Sequence, residues 1–162
     1  MTDEKTVLEA LDKVVKESEV TEEIHQAKDL LRQDPSLLAG TVPVPLNKLP
    51  GPFPAGIGSA RIFALRANTS FTTERHPNSR QRVVSLEGRG KIVVKDPITP
   101  RTKTLTSAPD APLAERWSSV PPNVWHQPQA GNQDWVVLTF HQVPEDELID
   151  EYQNEILHPR GL

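Results

Sequence analysis

The chain has 162 residues, a formal net charge of −4 and no cysteine, which excludes disulfide bonds and thiolate metal ligands. Hydrophobic residues make up 36% of it, and no apolar run approaches the roughly 20 residues that a membrane-spanning helix needs. Sixteen prolines beside eight glycines are typical of a β-protein with many turns and argue against a helical bundle. The length predicts a single domain.

The charge is distributed unevenly. Residues 1–34 carry ten acidic and five basic side chains, residues 142–162 carry six and one, and residues 35–141 carry six and twelve. Either the acidic ends pack on the basic body and neutralise it, or the body presents a basic opening to an anionic small molecule. Neither a nucleic acid nor a membrane is predicted as a partner, since basic residues do not cluster with aromatic ones. The first residues lack the layout of a signal peptide, and a cytoplasmic protein is expected.

Two helices are predicted at the start of the chain. Apolar residues recur at helical spacing over residues 3–16, with charges on the other face. A second helix is expected from Thr21, acting as N-cap, to Asp34-Pro35. We expect residues 1–40 to pack as a helical segment on the remainder.

Short strands are predicted beyond a connector. Residues 40–57 are rich in proline and glycine and are interpreted as an extended connector along an edge. The strands that follow are predicted at 59–67, 70–76, 81–87, 90–95, 101–106, 114–120, 124–128 and 133–141. A closing helix is predicted over 145–157, after Pro144. The expected fold is therefore mainly β: a barrel over 41–143 with a C-terminal helix in 144–162.

The most informative residues lie in two of these strands. Alternate residues of a strand share a face, so Glu74 and His76 are expected to point together, with Phe71 on the opposite face. His126 begins another strand-like segment. Two histidines and one carboxylate are the ligands of non-haem Fe(II) oxygenases and also suit zinc. Gln81 either joins the metal or orients a ligand.

These segments resemble the cupin superfamily. Its first motif has two histidines one residue apart, then an acidic residue and a glycine; the chain has Glu74-x-His76, then Gln81 and Gly88. Its second motif is matched by Pro121-Pro-Asn-Val-Trp-His126, with Asn123 in the glycine position. The resemblance covers about residues 59–141.

The resemblance implies a double-stranded β-helix, or jelly-roll barrel, with a divalent metal in its mouth and, often, a homodimer. The implied metal ligands are Glu74, His76, Gln81 and His126. Glu74 stands where the family has histidine, and Gln81 stands where it has glutamate. Iron is the expected metal, with manganese, nickel and zinc as alternatives.

Three further residues are candidates for binding a substrate. Arg80 lies on a turn and is the arginine freest to reach the mouth and hold an anion. His141, at the end of a strand, is either a strand-edge histidine or an acid/base group. Trp117 either fills the core or stacks on a flat substrate.

The expected function is that of a metalloenzyme acting on a small, anionic organic molecule, with dioxygenase chemistry favoured. One alternative is a metal-free module that binds or senses a small molecule. Another is an isomerase, epimerase or lyase of the same fold. An epimerase would need a His–Asp or Tyr acid/base pair in the pocket, and the single tyrosine, Tyr152, is expected in the final helix.

Overall fold

The computed structural model describes residues 2–153. It is mainly β, with two antiparallel sheets and three helices, which confirms the predicted fold class. The helices are α1 (Glu4–Lys16), α2 (Thr21–Gln33) and a single turn, α3 (Leu113–Arg116). The strands are β1 (Ala39–Val44), β2 (Ser59–Leu65), β3 (Glu74–Arg75), β4 (Gln81–Glu87), β5 (Arg89–Val94), β6 (Arg101–Thr106), β7 (Trp117–Val120), β8 (His126–Ala130), β9 (Trp135–His141) and β10 (Glu151–Tyr152).

The strands are arranged as a long hairpin that has been rolled up. Its central turn joins β5 to β6, and the pairs β4–β7, β3–β8 and β2–β9 follow outward along the chain. Successive pairs alternate between the sheets, whose orders are β1-β2-β9-β4-β7 and β10-β3-β8-β5-β6. This nesting is that of a jelly roll, and it makes neighbours of strands that are distant in sequence.

Strand β9 shows how the first sheet is covered on both faces. All seven of its residues are buried. Its inward side chains, which line the space between the sheets, are Trp135, Val137, Thr139 and His141. Its outward side chains, which pack in one cluster with residues of α1 and α2, are Val136, Leu138 and Phe140. The inner face therefore carries polar groups at one end only.

The two N-terminal helices pack on the outer face of this sheet. Asp3 caps α1 by accepting a hydrogen bond from the backbone N–H of Thr6 at 2.8 Å. Helix α2 begins at Thr21, but its N-cap is Val20, so the predicted cap is one residue off. Leu11 and Ala27, on the packed faces, are 0% exposed. Within residues 2–153, no helix has the length and apolar character required to cross a membrane.

The proline-rich stretch contains a strand where a connector was expected. β1 is the edge strand of the first sheet and pairs with β2, with Pro43 opposite Arg61. An edge strand accommodates proline because one row of its N–H groups has no partner in the sheet. The predicted location along an edge is confirmed, and the conformation is more regular than expected.

The predicted closing helix is wrong for its described part, residues 145–153. These residues form turns and the short strand β10, which pairs with β3. The side chain of Asn78 holds the segment by donating to the carbonyl of Glu147 at 2.8 Å and accepting from the N–H of Ile149 at 3.1 Å. Acidic residues that resemble the first turn of a helix are instead ion-pair partners of arginines on the barrel. Residues 154–157 of the predicted helix lie outside the described part of the chain.

Candidate metal centre

Glu74 and His126 meet because β3 and β8 are paired. The two residues are direct cross-strand partners. His76 follows two positions after Glu74. The turn before His126 contains Asn123 in a left-handed conformation, with φ 64°, which asparagine tolerates better than most residues. The rolled hairpin thus brings together the three residues that the sequence singled out.

The potential ligand atoms lie close together and out of solvent. Glu74 Oε1 is 3.6 Å from His126 Nε2 and 4.0 Å from His76 Nε2, and the three ligand atoms lie within 4.8 Å of one another. The residues are 8%, 1% and 3% exposed, respectively. Gln81 enters from the facing sheet, with its Oε1 2.9 Å from His76 Nε2 and its amide nitrogen 3.2 Å from His126 Nε2. The four side chains form one cluster, which we call the histidine cluster.

Both imidazole rings are fixed by acceptors on their outer nitrogens. His126 Nδ1 donates to the carbonyl of Val124 at 3.0 Å, and His76 Nδ1 donates to Asp150 at 3.0 Å. In each ring Nε2 is the nitrogen that points into the cluster. Metal-ligating histidines are generally oriented by such a second partner. Two imidazole nitrogens with one carboxylate therefore fit a divalent cation in chemistry and orientation.

The pKa values of His76 and His141 are shifted in opposite directions. Burial alone would lower the pKa of His76, but the hydrogen bond to Asp150 and the negative charge of Glu74 raise it. The pKa of His141 lies well below its ordinary value because of burial and the charges of His76 and Arg61. His141 is therefore neutral at pH 7. Its Nδ1 is buried without a hydrogen-bond partner among the described residues.

A small cavity of about 50 Å³, partly open to solvent, adjoins the histidine cluster. Its polar side includes Glu74, His76 and Gln81. Its other walls are mostly apolar: Phe63, Phe71, Val83, Ile92, Trp135 and Val137. The lining reaches the surface at Thr41, which is exposed, and at Tyr152, which is 51% exposed. The arrangement suits a small molecule with a polar end and an apolar body.

Trp117 lies away from this cavity. It is 0% exposed, packs with Phe140 beneath the N-terminal helices, and donates from its indole N–H to Asp12 at 2.8 Å. The expectation that it stacks on a substrate does not fit this position. The tryptophan that lines the cavity is Trp135. Alternation along β9 places Trp135 on the same face as His141. This sequence signal could have identified Trp135 as the tryptophan of the cavity.

Arg80 also does not line the cavity, although the sequence marked it as an anion-binding residue. Its guanidinium donates to the hydroxyl of Ser119 at 2.9 Å, on β7 at the far edge of the first sheet. Arg61, on β2, lines the cavity instead. His141, the third predicted substrate-binding residue, does line it, with its Nε2 3.4 Å from the hydroxyl of Thr139.

Sequence reasoning placed two cavity residues elsewhere. Phe71 was expected on the face opposite Glu74, but β3 covers only residues 74–75, so the alternation does not extend back to Phe71. Tyr152 was expected in a helix, whereas it pairs with Glu74 across β10 and β3. Burial and the charges of Glu74 and Asp150 raise the pKa of Tyr152 to about 12, so the phenol stays protonated at neutral pH.

Comparison of the structure with solved structures identifies the fold. An oxalate decarboxylase from Lactobacillus farciminis, solved as a formate complex, matches with a TM-score of 0.56 over 74% of this chain at 18% identity. An oxalate oxidase in complex with glycolate, described as a substrate analogue, matches with a TM-score of 0.53 over 69% of the chain at 8% identity. The coconut allergen cocosin matches with a TM-score of 0.50 over 58% of the chain at 17% identity.

The fold is that of the cupins. The resemblance in the sequence motifs is thereby confirmed at the level of the fold. No family model matches the sequence, and no curated protein matches it. The cupin barrel described here spans 32% of the decarboxylase, 54% of the oxidase and 23% of cocosin.

Proposed function

We propose that this cupin is an enzyme that binds a divalent metal through Glu74, His76 and His126 and acts on a small organic anion. Gln81 lies against the proposed metal ligands as a neutral neighbour. The metal is proposed to be iron, with manganese, nickel or zinc as alternatives, and the favoured reaction is a dioxygenation. Proteins of the same fold, an oxalate decarboxylase and an oxalate oxidase, are named for a small dicarboxylate substrate.

The observation that carries the proposal is the convergence of one carboxylate and two imidazoles from paired strands. A buried carboxylate beside two buried imidazoles is costly unless the charges are compensated. A divalent cation held by these three residues would compensate the carboxylate charge and would supply a Lewis acid to a substrate in the adjoining cavity. No other set of three metal-capable residues is found in residues 2–153.

The remaining roles belong to the side chains around the cluster. Asp150 keeps a proton on Nδ1 of His76, and the carbonyl of Val124 does the same for His126, so that both Nε2 atoms stay available. The apolar walls exclude water from the space where a substrate would lie. His141, neutral and buried, offers an unpaired nitrogen to a bound molecule.

Metal analysis tests the proposal. Protein purified without chelator and reconstituted with Fe²⁺, Mn²⁺, Ni²⁺ or Zn²⁺ is expected to hold near one metal per chain by mass spectrometry. His76→Ala and His126→Ala should lose it, because each removes one of three ligands. His25→Ala is the matched control, since His25 is exposed on α2. Wild-type protein that holds no more metal than His126→Ala would contradict the proposal.

A second candidate function is favoured by one specific observation. His76 is hydrogen-bonded to Asp150, and Tyr152, with its pKa raised to about 12, lines the same cavity. A histidine oriented by an aspartate, with a protonated tyrosine lining the same cavity, has the components of a proton-transfer site. This arrangement supports isomerase or epimerase chemistry without a metal.

The two functions are separated by an exchange experiment. If His76 transfers protons, metal-free protein in D₂O should introduce deuterium into an enolisable carboxylate such as phenylpyruvate. Tyr152→Phe and Asp150→Asn should slow this about a hundredfold. Asp146→Asn, at an exposed position of the same segment, is the control. Exchange that is equally fast in Tyr152→Phe would eliminate the second candidate.

A further inference from the structure

Arg61 is a cation inside the barrel that the proposed metal centre does not use. It lies in the middle of β2, its side chain is 16% exposed, and it lines the cavity beside Phe63. Its cross-strand neighbours are Pro43 and Thr139, which carry no charge. A half-buried guanidinium needs anionic partners, because desolvation without a counter-ion is unfavourable.

Both counter-ions of Arg61 come from the C-terminal segment, residues 144–153. Glu145 receives the Nε–H of Arg61 at 2.8 and 3.0 Å, and Asp150 receives its Nη1 at 3.3 and 3.2 Å. The two carboxylates are held differently. Asp150 also binds His76 at 3.0 Å and is 24% exposed, whereas the side chain of Glu145 is 40% exposed. Glu145 is therefore the partner that can be exchanged.

The position of Arg61 matches the polarity of the cavity. It lies near the opening marked by Thr41 and Tyr152, and the aromatic rings of Phe63 and Phe71 are in edge-to-face contact at 5.1 Å beside it. A ligand with one carboxylate and a compact apolar body would place the charge on Arg61 and the body against these rings. The carboxylate of such a ligand can make two hydrogen bonds to Arg61, because guanidinium and carboxylate match in geometry.

We propose that Arg61 is the carboxylate anchor of this cavity and that Glu145 is a built-in substitute, displaced when an apolar monocarboxylate binds. The inference rests on the proposed function only in that the cavity is the substrate site. An ion pair with an exposed partner contributes about 1 kcal/mol or less, so exchange of Glu145 for a ligand carboxylate is inexpensive. Asp150 stays in place and keeps His76 oriented.

Titration calorimetry with phenylacetate and its uncharged analogue phenylacetamide tests the anchor. Phenylacetate should bind wild-type protein and phenylacetamide should bind at least about tenfold more weakly, because it lacks the charge that Arg61 pairs. Glu145→Gln should bind phenylacetate about threefold more tightly, because the internal competitor is gone. Glu147→Gln removes the same charge from an exposed position of the segment and should leave the affinity unchanged.

Arg61→Lys completes the set, since it keeps the positive charge and loses the bidentate geometry. It should weaken phenylacetate binding about tenfold, with thermal unfolding as the check that the variant is folded. Oxalate, which has no apolar body, should bind wild-type protein more weakly than phenylacetate. Absence of phenylacetate binding, equal affinity for the amide, or tighter binding in Glu147→Gln as large as in Glu145→Gln would each overturn the proposal.

Metal content measured on the same preparations distinguishes this inference from the proposed function. If the protein holds near one metal per chain and Glu145→Gln does not change the affinity for phenylacetate, the metal centre is supported and the anchor is rejected. If the phenylacetate affinities of the variants change as expected but the protein retains no metal, the anchor is supported and the metal centre is rejected. Glu145 contacts Arg61 and Asp150 contacts His76, so the Glu145 variant leaves the ring orientation of His76 intact.

Discussion

Gln81 is the neutral side chain that contacts both imidazoles of the proposed metal centre. Its amide lies between two imidazoles, at 2.9 Å from His76 and 3.2 Å from His126. An amide is a neutral donor, so it contributes less to a divalent cation than a carboxylate in the same place. The amide NH₂ can donate to Nε2 of His126, whereas its Oε1 accepts from Nε2 of His76 only when that ring is protonated on both nitrogens.

Gln81→Glu should therefore raise the affinity for divalent metal. The change adds a carboxylate of nearly equal size at a position 5% exposed, and charged contacts are about twice as strong as neutral ones. We expect binding on the order of tenfold tighter, measured by competition with a fluorescent chelator. Gln142→Glu, on an exposed residue, is the control. A weaker affinity in Gln81→Glu would show that two carboxylates repel each other more than they bind metal.

At this scale, the sequence predicted the histidine cluster better than its surroundings. Glu74 and His76 were predicted to share a face by strand alternation, which holds one residue beyond β3 at this end, and His126 was predicted from the family resemblance. The sequence could not single out Arg61 among the arginines as the one that lines the cavity, nor predict Asp150 as its partner, since the two residues are almost ninety positions apart. Alternation alone also misplaced Phe71, because the strand ends before reaching it.

Helix α1 is attached to the barrel by a buried ion pair. Asp12 accepts from both terminal nitrogens of Arg116, at 2.6 and 2.9 Å, and from the indole N–H of Trp117 at 2.8 Å. Burial alone would raise the pKa of Asp12, but these hydrogen bonds lower it from 3.8 to about 2. The carboxylate is thus more easily kept ionised in the folded than in the unfolded chain.

The lowered pKa of Asp12 predicts how stability depends on pH. Its contribution is fully present above pH 4, where the unfolded chain is ionised too, and is lost as pH falls toward 2. Asp12→Asn should lower the free energy of unfolding by about 3 kcal/mol at pH 7. The difference from wild type should close between pH 4 and 2 in urea titrations. Asp110→Asn, exposed on a turn, should differ little at any pH, and a gap that persists at pH 2 would contradict the prediction.

Strand β5 approaches the cavity so closely that one position requires glycine. A Cβ on Gly90 would lie 2.2 Å from ring atoms of Trp135, which lines the cavity. That indole is fixed on its other side, because its N–H donates to the hydroxyl of Ser85 at 2.8 Å. The ring therefore cannot move away without breaking a buried hydrogen bond.

Gly90→Ala should consequently destabilise the fold by about 1–3 kcal/mol, the usual range for overpacking. Urea denaturation followed by tryptophan fluorescence measures the change and also reports on the displaced indole. Lys91→Ala, at the neighbouring exposed position, should alter stability by less than about 0.5 kcal/mol. An equal effect of both substitutions would mean that the strand and not the contact is responsible.

Elements were predicted well where local pattern determines them. β4 and β6 were predicted at their observed bounds, 81–87 and 101–106, because turn residues flank them. The closing helix was wrong because its signals, a proline and several acids, also suit a segment whose acids pair with distant arginines. Local propensity cannot distinguish these cases, since the deciding contacts, such as Arg75 with Glu151 at 2.8 Å, are tertiary.

At the scale of the whole molecule, the histidine cluster joins the two sheets. Glu74 and His126 belong to one sheet and Gln81 to the other. A metal held at this junction would bind the folded chain and not the unfolded one, and would therefore stabilise the entire barrel. Homodimer formation and a cytoplasmic location stay predictions.

Metal binding should accordingly raise the unfolding temperature. With Mn²⁺ at a hundredfold excess over its dissociation constant, the expected gain is about 2.7 kcal/mol, or about 5–10 °C for a chain of this size. Differential scanning fluorimetry measures the shift, and EDTA should reverse it. His126→Ala should show no shift, whereas His25→Ala should show the wild-type shift. A shift that survives in His126→Ala would place the stabilising ion elsewhere.

The uneven charge of the chain is explained by the packing of its ends. Acids of the N-terminal helices pair with the barrel, as Glu4 does with Arg82 at 2.8 and 2.9 Å. Acids of the C-terminal segment pair with Arg61 and Arg75. This supports the first of the two interpretations drawn from the sequence, that the ends neutralise the body, while one of the neutralised arginines still lines the cavity.

The left-handed residue before His126 has a consequence for how related chains are recognised. Asn123, with φ 64°, adopts the left-handed conformation expected of the glycine in the second motif, so the turn before His126 requires that torsion angle and not specifically a glycine. A search pattern that insists on glycine passes over every barrel that turns this corner with asparagine. Admitting both residues at that position, and glutamate for the first histidine, would gather a wider set of chains in which to look for the same chemistry.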